Sequence, residues 1–181
     1  MQDNNLPKQG SLLISKPLIG DGFFEQSVVL LTEHNENGTL GFTLNKESGF
    51  LVGDFIDEYQ GTSPVIFGGP VEQDAMFYLH DSQEIIDATP VGNGYFLGGN
   101  FEAFQTSLIH DPYLRHRVFL GYSGWSPGQL EGEIEDQTWF VINDPSLDPF
   151  ELDTNAWRDY MKKLGGEYLL WANAPEDPWM N

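Results

Sequence analysis

Short apolar runs broken by glycine, proline and asparagine recur along the chain, and few stretches show helical spacing. "SLLIS" (11–15) and the Val- and Leu-rich "SVVLLTEH" (27–34) have the pattern of buried strands. "NENG" (35–38) then turns the chain, because Asn37-Gly38 readily takes positive φ, and "TLGFTLN" (39–45) returns as the second arm of a hairpin. Further strands are expected at "PVIFGGPV" (64–71), "AMFYLHD" (75–81), "EIIDA" (84–88), "YFLGG" (95–99), "RVFLGYS" (117–123) and "TWFVIN" (138–143). Two stretches read as helices. Residues 100–109 place Phe101, Phe104 and Leu108 on one stripe behind an Asn100 cap. Residues 155–166 place Trp157, Tyr160, Met161 and Leu164 on an apolar face that ends at Gly165. Lys162 and Lys163 fall in that helix's last turn, where the helix dipole favours cations. Strands dominate and helices do not alternate with them, which argues against a doubly wound parallel sheet. The expected fold is α+β: one domain over 1–181, with a mixed, mostly antiparallel sheet curled into a barrel or sandwich and flanked by short helices. Residues 1–9, polar and turn-like, read as a flexible lead, and 143–155 as a polar loop holding two prolines.

Composition sharpens this picture at three points. Hydrophobic residues at 40% and aromatics at 14% are too plentiful for a disordered chain, and 181 residues suffice for one sizeable core. The charge is lopsided, with 28 acidic residues against 8 Lys and Arg, a net of −20. Nucleic-acid binding runs on basic contacts to phosphates, so direct DNA binding is disfavoured; solubility, a salty habitat or a basic protein partner would each suit such a surface. There is no cysteine, which removes disulfides, thiolate chemistry and Cys-based metal sites. No basic-then-apolar signal opens the chain and no apolar run approaches the ~20 residues that span a bilayer, so a cytoplasmic protein without membrane attachment is expected.

The stretch that invites a chemical reading is "GYSGWSPG" (121–128), a serine loop behind a strand. A nucleophile elbow needs G-x-S-x-G, but Trp125 stands at the second glycine position. All four histidines (34, 80, 110 and 116) precede Ser123, against the Ser-acid-His order of α/β-hydrolases. The stretch reads instead as strand, glycine turn and helix start, with Ser126 as N-cap, Pro127 at the first helical position and Gln129 completing a capping box. Its exposed amides could hold an anion. Neither phosphate-loop pattern occurs, so Gly68, Gly69 and Pro70 read as a turn of close backbone approach. No metal or cofactor is expected, since "EHNE" (33–36), His80-Asp81 and His110-Asp111 put neighbouring side chains on opposite faces of a strand.

Four blocks carry a family resemblance: "GSLLIS" (10–15), "FEQSVVLLTEHNENGTLGFTLNK" (24–46), "GGPVEQDAMFYLH" (68–80) and "RVFLGYSGWSPGQLEGEI" (117–134). They resemble the AlgH/YqgE family of small bacterial proteins, and "PEDPWMN" (175–181) resembles the family's terminus, which implies a native C-terminus. The resemblance implies a compact α+β domain with a barrel-like sheet and the label of transcriptional regulator, with no catalytic residues to carry over. Some members have cysteine where this chain has Thr32, so thiol chemistry does not transfer. The expected function is a non-enzymatic binding or regulatory protein, acting on transcription indirectly and binding a protein partner or a small anion. Its candidate surface is Gly68, Gly69, Pro70 and His80 together with Gly121, Tyr122, Ser123, Gly124, Trp125, Ser126 and Gln129. The alternatives are a small hydrolase using His80 or His116 as a base beside a carboxylate, and a purely structural role.

Overall fold

The computed structural model describes residues 6–17, 20, 22–144 and 146–173; the terminal "PEDPWMN" and residues 1–5 lie outside the described residues. In chain order the elements are β1 (Leu12–Ser15), β2 (Val28–Asn35), β3 (Gly38–Thr43), β4 (Glu47–Leu51), β5 (Pro64–Phe67), β6 (Val71–His80), β7 (Thr89–Gly92) and β8 (Tyr95–Leu97). They continue as α1 (Phe101–His110), β9 (His116–Trp125), α2 (Gln129–Glu135), β10 (Trp139–Ile142), α3 (Ala156–Leu164) and α4 (Tyr168–Ala172). The strands form one large mixed sheet whose main path runs β10-β1-β2-β3-β9-β6-β8-β7, with β5 also on β9 and β4 on β5. Among the described residues only β5 and β9 run parallel, and every other pair is antiparallel.

The sheet stays open, with β10 and β7 at the ends of the path, so the expected closure into a barrel does not occur. Pairing also branches at β9. Its first half, Val118 to Leu120, lies beside β5, whereas Ser123 to Trp125 lies beside β3. The change of neighbour comes at Gly121, whose φ of +69° suits glycine. β3 and β5 thus share one edge of β9, and β6 takes the other.

Strand periodicity explains the layers. Leu12, Ile14, Leu30, Phe42, Ile66 and Phe119 share one core with Trp157 and Met161 of α3. The alternate residues point the other way. Val65, Val118 and Leu120 meet Phe104 and Leu108 of α1, while Leu13, Leu31, Trp125 and Trp139 meet Leu130 of α2. Helices thus cover both faces, and β1 and the start of β2 are buried throughout, which is why they read as unbroken apolar runs. Trp157, fully inside, also donates its indole N–H to the Ser15 carbonyl at 2.7 Å. Full burial of a side chain of this size contributes on the order of 2–3 kcal/mol.

The hairpin, the cap of α1 (Asn100 accepts from the Ala103 amide at 2.8 Å) and the Gly165 end of α3 follow the sequence pattern. Other expectations change. Residues 84–88 form no strand: Ile85 is buried as a plug against α1 while Ile86 is exposed, a split that strand alternation alone would mimic. β4 and β7 carry no apolar pattern that announces them, and β4 is mostly exposed; the apolar run "YLLWA" forms α4, an element the sequence reading did not assign. Of the lead, Gln9 donates to the carbonyls of Thr32 and Pro90, and Leu6 accepts from Asn143, so residues 6–9 are tied to the domain. Among the described residues no helix is long and apolar enough to cross a membrane.

Candidate functional site

The two glycine-rich segments singled out in the sequence meet directly. A Cβ on Gly69 would stand 1.9 Å from the carbonyl carbon of Tyr122, and one on Gly68 would stand 2.3 Å from the Gly121 oxygen. The backbones cross so closely that only glycine fits. The crossing is locked by hydrogen bonds: the Gly68 amide donates to Leu120 at 2.9 Å, and the Gly68 carbonyl accepts from the Thr43 amide and the Ser123 hydroxyl. Ser123 is fully buried, with its Oγ donating to that carbonyl at 3.0 Å. Its hydroxyl is a structural pin.

Beyond the crossing, Ser126-Pro127-Gly128-Gln129 is a type II β-turn, with the Gln129 amide donating to the Ser126 carbonyl at 3.0 Å and Gly128 at φ +78°, ψ −9°. This corrects the expected cap. Pro127 sits in the turn, Gly128 takes the N-cap position, and α2 begins at Gln129. Half of the expected box survives, since Gln129 Oε1 accepts from the Ser126 amide at 3.0 Å. The same side chain hands its amide to Glu133 Oε1. Glu133 Oε2 accepts the indole N–H of Trp125 at 2.9 Å and of Trp139 at 2.8 Å. One carboxylate therefore rivets α2 to β9 and β10. Sequence reasoning missed Glu133, because nothing in a glutamate's local spacing announces two distant indoles.

Next to this corner lies a cleft of about 470 Å³, between the tip of the β2–β3 hairpin and the end of β9. Glu33, Asn37, Leu40, Val71, Tyr122 and Gly124 line it, and Trp125, Ser126 and Pro127 close one end. The Trp125 ring itself packs into the core on Phe24 and Trp139. Of the candidate residues, Tyr122, Gly124, Trp125 and Ser126 line this cleft. Gly68, Gly69, Gly121 and Ser123 sit in the crossing beside it, Pro70 is exposed in the turn leading to Val71, and Gln129 braces the corner. No lysine, arginine or histidine lines the cleft among the described residues.

His80 is elsewhere. It is fully buried, opposite His116 across β6 and β9, with Nε2 bonded to the Gly98 carbonyl at 3.0 Å. Burial holds its pKa below the ordinary 6.5, against the raising influence of the Gly98 and Ser82 backbone and the Asp81 charge. His116 is likewise lowered by burial, against the Leu114 carbonyl and Asp81. Its Nε2 is 3.4 Å from the Tyr59 hydroxyl. Among the described residues neither histidine lies within ion-pair distance of a carboxylate; only His34 does, 3.6 Å from Glu131. His34 also bonds Thr39 Oγ1 at 2.7 Å, and although Thr39 lines the cleft, His34 itself does not. Among the described residues no three His, Asp or Glu side chains converge as a metal site.

The AlgH-like family profile matches residues 12–169. A UPF0301 protein of Bacteroides thetaiotaomicron is 37% identical over 189 residues, covering 100% of this chain and 95% of its own length. Another, from Cytophaga hutchinsonii, is 38% identical over 180 residues and covers 96% of this chain and 98% of its own. Two solved structures share the architecture at 26% identity. A Corynebacterium diphtheriae protein has a TM-score of 0.75, with 94% of each chain covered. The AlgH protein of Pseudomonas aeruginosa has a TM-score of 0.68, with 93% of this chain and 95% of its own covered. The chain belongs to the AlgH-like family.

Proposed function

We propose that this is a non-enzymatic binding protein of the cytoplasm, which engages a protein partner through the cleft at the β9–α2 corner and affects transcription indirectly. The carrying observation is the cleft itself: it gathers Tyr122, Gly124, Trp125 and Ser126 with Leu40 and Val71 on one concave surface of mixed polar and apolar lining and, among the described residues, no cationic side chain. A small anion would find no counter-charge there, so a polypeptide fits better. Hydrolysis has less support, because His80 is fully buried and, among the described residues, neither His80 nor His116 lies within ion-pair distance of a carboxylate. With a net charge of −20, contact with DNA phosphates is disfavoured as well. A photo-crosslinking amino acid at Asn37, on the cleft, is expected to capture a defined partner in cells, while the same group at the exposed Tyr113 does not. Equal capture from both positions, or a gel shift with duplex DNA that survives physiological salt, would refute the proposal.

A further inference from the structure

A second concave surface lies away from the cleft. Two cavities of about 510 and 290 Å³ share Glu47 and Thr154 and together make one groove, running from residues 22–26 past the start of β4 to the 150–154 loop. Ile66, Phe67 and Phe150 give it an apolar wall. Glu25, Glu47, Glu151 and Asp153 line it, and among the described residues none of the four has an ion-pair partner.

The two cations of the groove are occupied otherwise. Lys46 Nζ donates to the Glu25 carbonyl at 2.8 Å. Arg117 donates to the backbone carbonyls of Leu44, Phe150 and Leu152, strapping the 150–154 loop to the β3–β4 junction. The guanidinium keeps its positive charge and offsets part of the field of Asp153, Glu151 and Glu47, but among the described residues it forms an ion pair with none of them. Burial lowers its pKa to about 10, although Asp148, Asp153, Glu151 and Glu47 all pull the other way. Four acids on a partly apolar groove, in a chain already at −20, make a strongly attractive field for a cationic segment.

We infer that this groove is a docking site for an extended, basic segment of a partner protein, one in which lysine or arginine alternates with apolar residues. The basic side chains meet Glu25, Glu47, Glu151 and Asp153, and the apolar ones rest on Phe67 and Phe150. The site is separate from the β9–α2 cleft, so either can fail without the other.

The test uses the full chain and a fluorescein-labelled decapeptide of alternating lysine and valine, followed by anisotropy, with a glutamate–valine peptide as counterpart. Saturable binding of the lysine peptide alone is expected, weakening as salt rises. Glu47→Lys with Glu151→Lys is expected to weaken it about tenfold or more. Glu102→Lys with Asp136→Lys makes the same change in net charge on α1 and just after α2, and is expected to cost less than about twofold. Glu47→Gln with Glu151→Gln gives a milder variant whose thermal melt shows whether the fold is intact. Equal weakening by the two charge reversals would reduce the effect to net charge and overturn the inference. So would absence of saturable binding, or displacement of the peptide by calcium at constant ionic strength, which would assign the groove to a metal ion.

Discussion

The two halves of β9 share one strand and have opposite characters. Between His116 and Leu120 the strand lies beside β5 and carries the residues a chemist would choose first, His116 and, across the ladder, His80. Both rings are packed against aromatic neighbours, His80 on Phe96 and His116 on Tyr59 and Phe104. Past Gly121 the strand lies beside β3 and carries glycine, tyrosine, serine and tryptophan. This half, without a titratable base, is the one beside the cleft. Titratable chemistry in a sequence marks a site only if the fold leaves it reachable. Here the β9–α2 cleft is made by backbone crossings, His80 is sealed in packing, and the half-buried His116 lines the separate groove beside the 150–154 loop.

The second half should be much the less forgiving of added atoms. Gly69→Ala forces a methyl group into the Tyr122 carbonyl and the Ser123 amide, both backbone, which cannot rotate away. A loss of about 4 kcal/mol or more is expected, enough to abolish the cooperative urea transition. A variant that melts like the parent would show that the two backbones can part at little cost.

Glu133→Ala comes next. It leaves the Trp125 and Trp139 indoles, which are 5% and 3% exposed, without their acceptor. The expected cost is about 2–3 kcal/mol, with a red shift of tryptophan emission as water reaches the rings. Glu133→Gln keeps one acceptor oxygen and should recover about half of the loss. If alanine and glutamine behave alike, the rivet is not what joins α2 to the sheet.

The first half should respond to pH instead. His80 and His116 have folded-state pKa values below the ordinary 6.5 because burial disfavours their charged forms. As pH falls through about 6.5 the unfolded chain takes up protons that the folded chain refuses, so stability declines as acid is added. Above that range both states are neutral and neither histidine contributes. Each histidine steepens the decline by up to about 1.4 kcal/mol per pH unit. His80→Phe with His116→Gln should flatten the slope between about pH 7 and 5, measured by chemical denaturation. A slope indifferent to the double substitution would place acid sensitivity elsewhere.

How far the sequence foretells this depends on which force shapes each part. The unbroken apolar runs of β1 and β2, the apolar positions of β3 and β9 and the stripes of α1 and α3 are legible, because burial on two faces leaves a continuous trace and burial of one helix face a periodic one. β4 is mostly exposed and leaves none, and "EIIDA" misleads because one buried isoleucine and its exposed neighbour mimic an edge strand. In the site, Trp125 and the order of the histidines suffice to deny Ser123 a nucleophilic role. The grouping of Tyr122, Gly124, Trp125 and Ser126 is readable, since they are sequence neighbours. That Val71, Glu33 and Leu40 complete the cleft, and that His80 does not, depends on long-range pairing through Gly121, which no local pattern records.

The smallest effect separates two uses of glycine that look the same in sequence. Gly69 is required because atoms occupy the place of a side chain; Gly128 has nothing within 4 Å of where a methyl group would stand and is required only by its φ of +78°. An alanine there meets no wall and bears only the left-handed conformational penalty, about 1 kcal/mol. Gly128→Asn should cost less still, because asparagine tolerates that region. The contrast between Gly69→Ala and Gly128→Ala, about 3 kcal/mol for the same added methyl, is then a direct measure of backbone crowding at the strand crossing. Should Gly128→Ala prove as damaging as Gly69→Ala, the Ser126–Gln129 turn would have to be holding the β9–α2 corner far more tightly than its single turn hydrogen bond and the Gln129 brace imply.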